Sequence, residues 1–288
     1  MAALRLLVVE GNTAENRARH VAISGRTPSD AYADVLKDLA GDAVVDICFP
    51  ADPGANIPDS AGLAGYDGVA ITGSALNLWK AEPESLRQVE LARAIFAARV
   101  PFFGSCWGLQ VAAVAAGGEV RLNPKGRELG ISRKITLTDA GREHPMHRGR
   151  PLAFDAPTVH MDEVAVPPGD VTVTATNGVT PLQATEIRSQ GGVFWGVQYH
   201  PEYTLADVAW TLARYNGRLV EEGFYATPDA LRAHVADIEA LHRDPDQPGL
   251  AWRLGIDADI LDPKQRLTEI ANWIGDQVRP AKSARSRA

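Results

Sequence analysis

Short β-branched runs alternate with helix-like stretches along the first 116 residues, and that alternation restricts the fold more than any other feature. Leu4 to Val9 reads as a first strand, Ser29 to Leu39 as a helix, Val44 to Phe49 and Gly68 to Thr72 as strands, and Glu84 to Ala98 as a helix. Val100 to Phe103 follows as a strand, and Leu109 to Ala116 as its helix. Parallel neighbours need a helical crossover, so the pattern predicts an α/β protein of three layers: a mostly parallel central sheet with helices on both faces. Between residues 119 and 190 the runs turn rich in threonine and valine (Ile131 to Thr138, Val171 to Thr176, Gln183 to Ile187), which predicts small antiparallel additions. In such a sheet, functional groups gather at the carboxyl ends of the strands.

One of those ends carries Gly104-Ser105-Cys106-Trp107-Gly108-Leu109-Gln110. A thiol at a strand-to-helix turn faces the positive end of the helix dipole and its unpaired N–H groups, an environment that favours the reactive thiolate. Glycines at 104 and 108 permit a tight turn and a close approach of substrate to the backbone. The plain alternative is a buried structural cysteine. Far downstream, Gly196-Val197-Gln198-Tyr199-His200-Pro201-Glu202 ends another apolar stretch. A thiol nucleophile needs an imidazole base, and the imidazole needs an acid that fixes its tautomer; His200 and Glu202 have those identities and stand two apart. A lone histidine there would be read as a hydrogen-bonded strand-end residue. Paired with the Cys106 turn, it reads as a catalytic base.

With both segments in view, the chain resembles the class I (triad-type) glutamine amidotransferases, whose pattern is Gly-x-Cys-x-Gly-x-Gln followed late by His-Pro-Glu. The resemblance covers roughly residues 4 to 220 and implies a flavodoxin-like glutaminase fold. It also implies Cys106 as nucleophile, His200 as base and Glu202 as orienting acid. It further implies an oxyanion hole from the Gly73 and Trp107 amides, Gly73 standing in the small-residue turn after Tyr66-Asp67-Gly68-Val69-Ala70-Ile71-Thr72. Gln110 matches the family glutamine that contacts substrate. Val159-His160-Met161-Asp162 resembles the segment whose usual form is Ser-His-Gly-Asp, so His160 and Met161 are substrate-binding candidates, with Met161 where the family has glycine. Gly73-Ser74-Ala75, followed by Trp79, is similar to free-standing, GMP-synthase-like members and to γ-glutamyl peptidases, and it adds Ser74 to the substrate candidates.

The implied reaction is hydrolysis of a γ-glutamyl amide, glutamine to glutamate plus ammonia, through a γ-glutamyl thioester and without a cofactor. Two catalytic readings follow. One is a free-standing glutamine amidotransferase; nothing after His200 reads as an ATP-binding segment, so its ammonia would go to a separate synthetase partner. The other is a stand-alone γ-glutamyl hydrolase or peptidase. A third reading, of another class, is a non-catalytic member that keeps the fold, against which the intact triad argues. A homo-oligomer is left open.

A net charge of −7 argues against binding nucleic acid through its phosphates. No apolar stretch approaches the roughly 18 to 20 residues that span a bilayer, and Met1 to Arg5 runs into a strand, so a cytoplasmic protein without membrane contact is expected. Of the two cysteines, Cys48 reads as a buried strand residue. His144-Pro145-Met146-His147 lacks a completing ligand, and no metal site is expected. His20, His234 and His242 receive no role.

The catalytic domain is drawn at 1–225. A C-terminal helical extension follows at 226–279, with apolar stripes Leu231, Val235, Ile238, Leu241 and Leu267, Ile270, Trp273, Ile274. Packing of these stripes on the core is the expectation, against docking of a partner. Pro280 to Ala288 is expected to be disordered, and Gly11 to Thr27 to be a polar surface loop, against the alternative that Glu10-Gly11-Asn12 at the strand end meets a ligand.

Overall fold

The alternating runs form strands β1 (Leu4–Val9), β2 (Ala43–Cys48), β3 (Gly68–Ile71) and β4 (Phe102–Ser105), linked through helices Pro28–Ala40, Pro83–Ala98 and Trp107–Ala115. The computed structural model describes residues 3–55 and 57–285. The later strands are β5 (Glu119–Leu122), β6 (Glu128–Leu137), β7 (Ala153–His160), β8 (Asp162–Val166), β9 (Val171–Thr176), β10 (Ala184–Ser189) and β11 (Gly192–Val197).

Among the described residues, the main sheet has nine strands in the order β2-β1-β3-β4-β11-β10-β9-β6-β7, and β5 pairs with β8 in a separate antiparallel ribbon. Strands β2, β1, β3, β4 and β11 run parallel. From β11 outward through β10, β9, β6 and β7, every pairing is antiparallel. The antiparallel part is larger than the threonine-valine runs suggest, because Ala153–His160, with a proline inside it, also joins the sheet against β6.

Successive residues of a strand point to opposite faces, and β4 shows the consequence: Phe102 enters one core and Phe103 the other. The first core packs Phe102 against Phe96 and Phe194 beneath helix Pro83–Ala98. The second holds Tyr32 and Leu36 of helix Pro28–Ala40 together with Trp195 and Trp273. Burying each such side chain contributes about 1.5–3 kcal/mol.

Both C-terminal stripes pack inward. Leu231, Ile238 and Leu241 of helix Pro228–Arg243 bury against Leu205, Val208 and Leu212 of helix Leu205–Arg214. Leu267, Ile270, Trp273 and Ile274 complete the second core. The fit is close enough that a Cβ on Gly68 of β3 would stand 2.8 Å from Val278 Cγ2 and 3.0 Å from the Trp273 ring.

Two expectations are corrected. Gly11 to Thr27 is no open loop: Ala14–Ser24 is a helix, capped by Thr13 and closed by left-handed Gly25. Its polarity hides it, since it buries no residue; Arg17 holds it to Asp52 at 2.6 Å. The segment from 280 is also ordered as far as it is described, as helix Arg279–Arg285, because Lys282 and Arg285 both pair with Asp67 ahead of β3. Residues 286–288 lie outside the described residues. No helix among the described residues is long and apolar enough to cross a membrane.

Candidate active site

The parallel strands deliver their carboxyl ends to one rim. The turn after β4 places Cys106 at φ 52°, ψ −99°, immediately before helix Trp107–Ala115, with its N–H donating to Val197 O of β11 at 2.7 Å. Such a backbone is strained for a residue with a side chain, and it is held there by close packing. A Cβ on Gly104 would sit 2.6 Å from the Gly108 backbone, and one on Gly108 2.6 Å from Ile71 O, so both glycines are needed for the elbow to fit between β3 and β4.

Beyond β11 the chain brings His200 to the same place, its N–H bonded to Pro157 O at 2.7 Å. Its Nδ1 meets Glu202 Oε1 at 2.7 Å, and its ring stacks on Tyr203 with centroids 4.1 Å apart. Burial opposes charge on the ring, but the Glu202 carboxylate and the nearby Cys106 sulfur outweigh it and raise the imidazole pKa to about 10. Nε2 is buried and makes no well-aligned hydrogen bond in the resting protein. The Cys106 Sγ–H points instead to Val159 O at 3.5 Å. The other oxygen of Glu202 accepts a hydrogen bond from Ser105 Oγ at 2.9 Å, and Ser105 Oγ also meets Tyr32 OH at 3.1 Å.

Gly73 lies beneath the imidazole: a Cβ there would stand 2.6 Å from His200 Cε1. Its carbonyl is turned toward Asn12 Nδ2 (3.3 Å) and Thr72 Oγ1 (3.0 Å), while Asn12 Oδ1 accepts the Ala75 N–H at 2.9 Å. Asn12 is itself held by Glu10 Oε1, which accepts from Asn12 N and Nδ2. The Glu10-Gly11-Asn12 strand end thus braces the Gly73 turn. Trp107 donates its indole N–H to Gln88 Oε1 at 2.7 Å, leaving its backbone at the first turn of the helix.

Cys106, His200, Gly73, Ser74, Trp107, Gln110, His160 and Met161 all line one cavity of about 590 Å³. Glu202 lies behind the ring, outside that lining. Several side chains in the cavity are already occupied. Gln110 Nε2 is shared between Asp162 O and Gln198 Oε1, both at 3.3 Å. His160 uses both ring nitrogens, on Glu128 Oε2 (2.8 Å) and Asp162 O (3.0 Å), so it has no ring nitrogen left for a ligand. Ser74 Oγ donates to Gly11 O at 2.8 Å. Met161 Sδ faces Arg127 Nη2 at 3.7 Å.

The second thiol is chemically quiet: burial pushes Cys48 up to about 12. His144 and His147 each face a separate glutamate, Glu186 and Glu269, and the described residues contain no cluster suited to a metal ion. Sequence reasoning missed the Ser105–Tyr32 support, Tyr203, and an outer wall in which His20 packs edge-on to Trp210 at 4.5 Å. The position of Glu10-Gly11-Asn12 at a strand end was the one available signal for the Gly73 brace; for the outer wall there was none.

Known proteins resemble this chain in sequence and in fold. Residues 49–209 match the family model described as glutamine amidotransferase class-I. A gamma-glutamyl-L-1-hydroxyisopropylamide hydrolase of a Pseudomonas species is 38% identical over 286 residues, covering 97% of this chain and 95% of that protein. A GMP synthase [glutamine-hydrolyzing] of Enterobacter sp. (strain 638) is 36% identical over 132 residues, 42% of this chain and 24% of that protein. A solved structure of a glutamine amidotransferase from Thermotoga maritima superposes with a TM-score of 0.65 at 15% identity, covering 96% of this chain and 99% of that one, a likeness of fold.

Proposed function

This chain belongs to the glutamine amidotransferase class-I family, and from that premise we propose that it hydrolyses γ-glutamyl amides through a thioester on Cys106. The Cys106 thiol passes its proton to His200 Nε2, the sulfur attacks the γ-carbonyl carbon, and negative charge develops on the oxygen. The Gly73 and Trp107 N–H groups receive it, each such donor being worth roughly 3–4 kcal/mol in the transition state. Protonated His200 gives its proton to the departing nitrogen, and the amine or ammonia leaves. Water, deprotonated by the now neutral ring, attacks the thioester through a second oxyanion, releasing glutamate and restoring the thiol. Glu202 keeps Nδ1 protonated and Nε2 turned to the sulfur side.

One observation carries the reading: the strained Cys106 elbow and the Glu202-bound His200 open onto the same cavity. Of the two catalytic readings, free-standing hydrolysis is favoured over ammonia supply to a synthetase. The relative matched along nearly the whole chain is named a hydrolase, whereas the GMP synthase match covers under half of it. A cytoplasmic setting and a synthetase partner remain part of the second reading.

The test is glutamate release from glutamine and γ-glutamyl amides by the purified protein. Cys106→Ser is expected to abolish turnover, His200→Ala to lose both acylation and turnover, and wild type quenched in acid during turnover to carry a γ-glutamyl adduct on Cys106 visible by mass spectrometry. Wild-type turnover in Cys106→Ser would remove the sulfur from the mechanism.

A further inference from the structure

The cavity is larger than glutamine requires. At roughly 30 Å³ for each water-sized group, about 590 Å³ has room for about twenty non-hydrogen atoms, about twice those of glutamine. The surplus is bounded by a continuous aromatic and cationic arc. His20 on helix Ala14–Ser24 packs against Trp210, and the Arg214 guanidinium lies 6.0 Å from the Trp210 ring and 5.1 Å from the Tyr215 ring. Arg127 covers Tyr215 at 4.6 Å and reaches Met161, which closes the arc onto the segment beside Cys106.

Charge in this wall is one-sided although the protein is acidic overall. Arg19, Arg127, Arg214 and Arg218 line the cavity, and the one carboxylate among the described residues of its lining, Asp162, is occupied by Asn77 Nδ2 and Trp79 Nε1. Three of the arginines are ion-paired, Arg19 with Glu15 and Arg127 and Arg218 sharing the single carboxylate of Glu222. Among the described residues no carboxylate lies within 4 Å of the Arg214 guanidinium, whose Nη2 donates to Tyr215 OH at 3.4 Å. A guanidinium lying beside aromatic rings keeps its planar N–H fork for a carboxylate.

We propose that this wall is a leaving-amine subsite in which Arg214 selects γ-glutamyl conjugates whose amine carries a carboxylate, that is, γ-glutamyl amino acids. The proposal rests on the Cys106 hydrolysis reading and adds to it the identity of the released group. Bond changes are those already given: the C–N bond breaks, His200 protonates the nitrogen, and a free amino acid leaves in place of ammonia.

The test compares γ-glutamylalanine with γ-glutamylisopropylamide, which differ in that a methyl replaces the carboxylate. The wild-type ratio of kcat/KM should favour γ-glutamylalanine by about tenfold or more, the scale of one charge-assisted hydrogen bond, and should shrink as salt is raised. Arg214→Gln should bring that ratio down by about tenfold. A wild-type ratio near one, or a ratio that Arg214→Gln leaves unchanged, overturns the subsite. Loss of rate by the same factor on both substrates also overturns it, since Arg214 would then serve the shared glutamyl portion or the fold. If wild type turns over neither compound, nor glutamine, in a Cys106-dependent way, the hydrolysis reading fails and this inference with it.

Discussion

Gly73→Ala is the substitution that most directly probes the arrangement of the site. The added methyl would lie 2.6 Å from His200 Cε1, 3.5 Å from Nε2 and 3.6 Å from Nδ1. Ordinary contact begins near 3.4 Å, so ring or turn must move by about 0.8 Å. The ring has little freedom, being clamped by Glu202 at 2.7 Å and by the Tyr203 stack at 4.1 Å. The turn is no freer, since Asn12 holds both Gly73 O and Ala75 N. A misplacement of about 1 Å in a catalytic group costs about 100-fold in rate, whereas one extra methyl in a packed site costs about 1–3 kcal/mol of stability. Steady-state glutamate release should therefore show kcat down about 100-fold, while thermal melting falls by only a few degrees and circular dichroism stays native. Gly249→Ala, at a helix position with open space around it, is the matched control and should leave both readouts unchanged. Wild-type kcat/KM in a folded Gly73→Ala protein would refute the placement of the imidazole over this turn, and with it the assignment of Gly73 to the oxyanion hole.

Ser105→Ala removes the hydroxyl that binds the second oxygen of Glu202; kcat should drop about tenfold with KM unchanged, as read by initial rates. Glu269 is fully buried, and although burial opposes its charge, Arg150 at 2.8 Å holds its pKa at about 2, below the ordinary 4.5. A depressed carboxylate pKa stabilises the fold above about pH 4.5, and that contribution is lost as pH falls toward 2. Glu269→Gln should thus cost about 3–5 kcal/mol at neutral pH, with the gap from wild type closing in acid, as followed by denaturant titration across pH.

Much of the candidate site was legible because its signals are local. A thiol between two glycines, after an apolar run and before a helix, specifies an elbow through backbone sterics alone. His200 and Glu202, two residues apart, can meet without knowledge of the rest of the chain. The stripe Leu267, Ile270, Trp273, Ile274 likewise reads as a buried face from its spacing. Helix Ala14–Ser24 was missed because it buries nothing, although Thr13 and Gly25 are proper caps. The ordered segment at 279–285 was missed because Asp67, its partner, lies far away in sequence.

Periodicity, glycine placement and the residues within each of the two motifs determined the layers of the sheet and the class of chemistry, because each depends on residues within a few positions of one another. Only the tertiary structure decided that β4 lies between β3 and β11, and with that order came His200 over Gly73, Ser105 against Glu202 and Tyr32, and Arg214 beside Trp210 facing the same cavity as Cys106. Those contacts join segments tens to hundreds of residues apart, and their geometry is set by burial of the two cores, which no local pattern records.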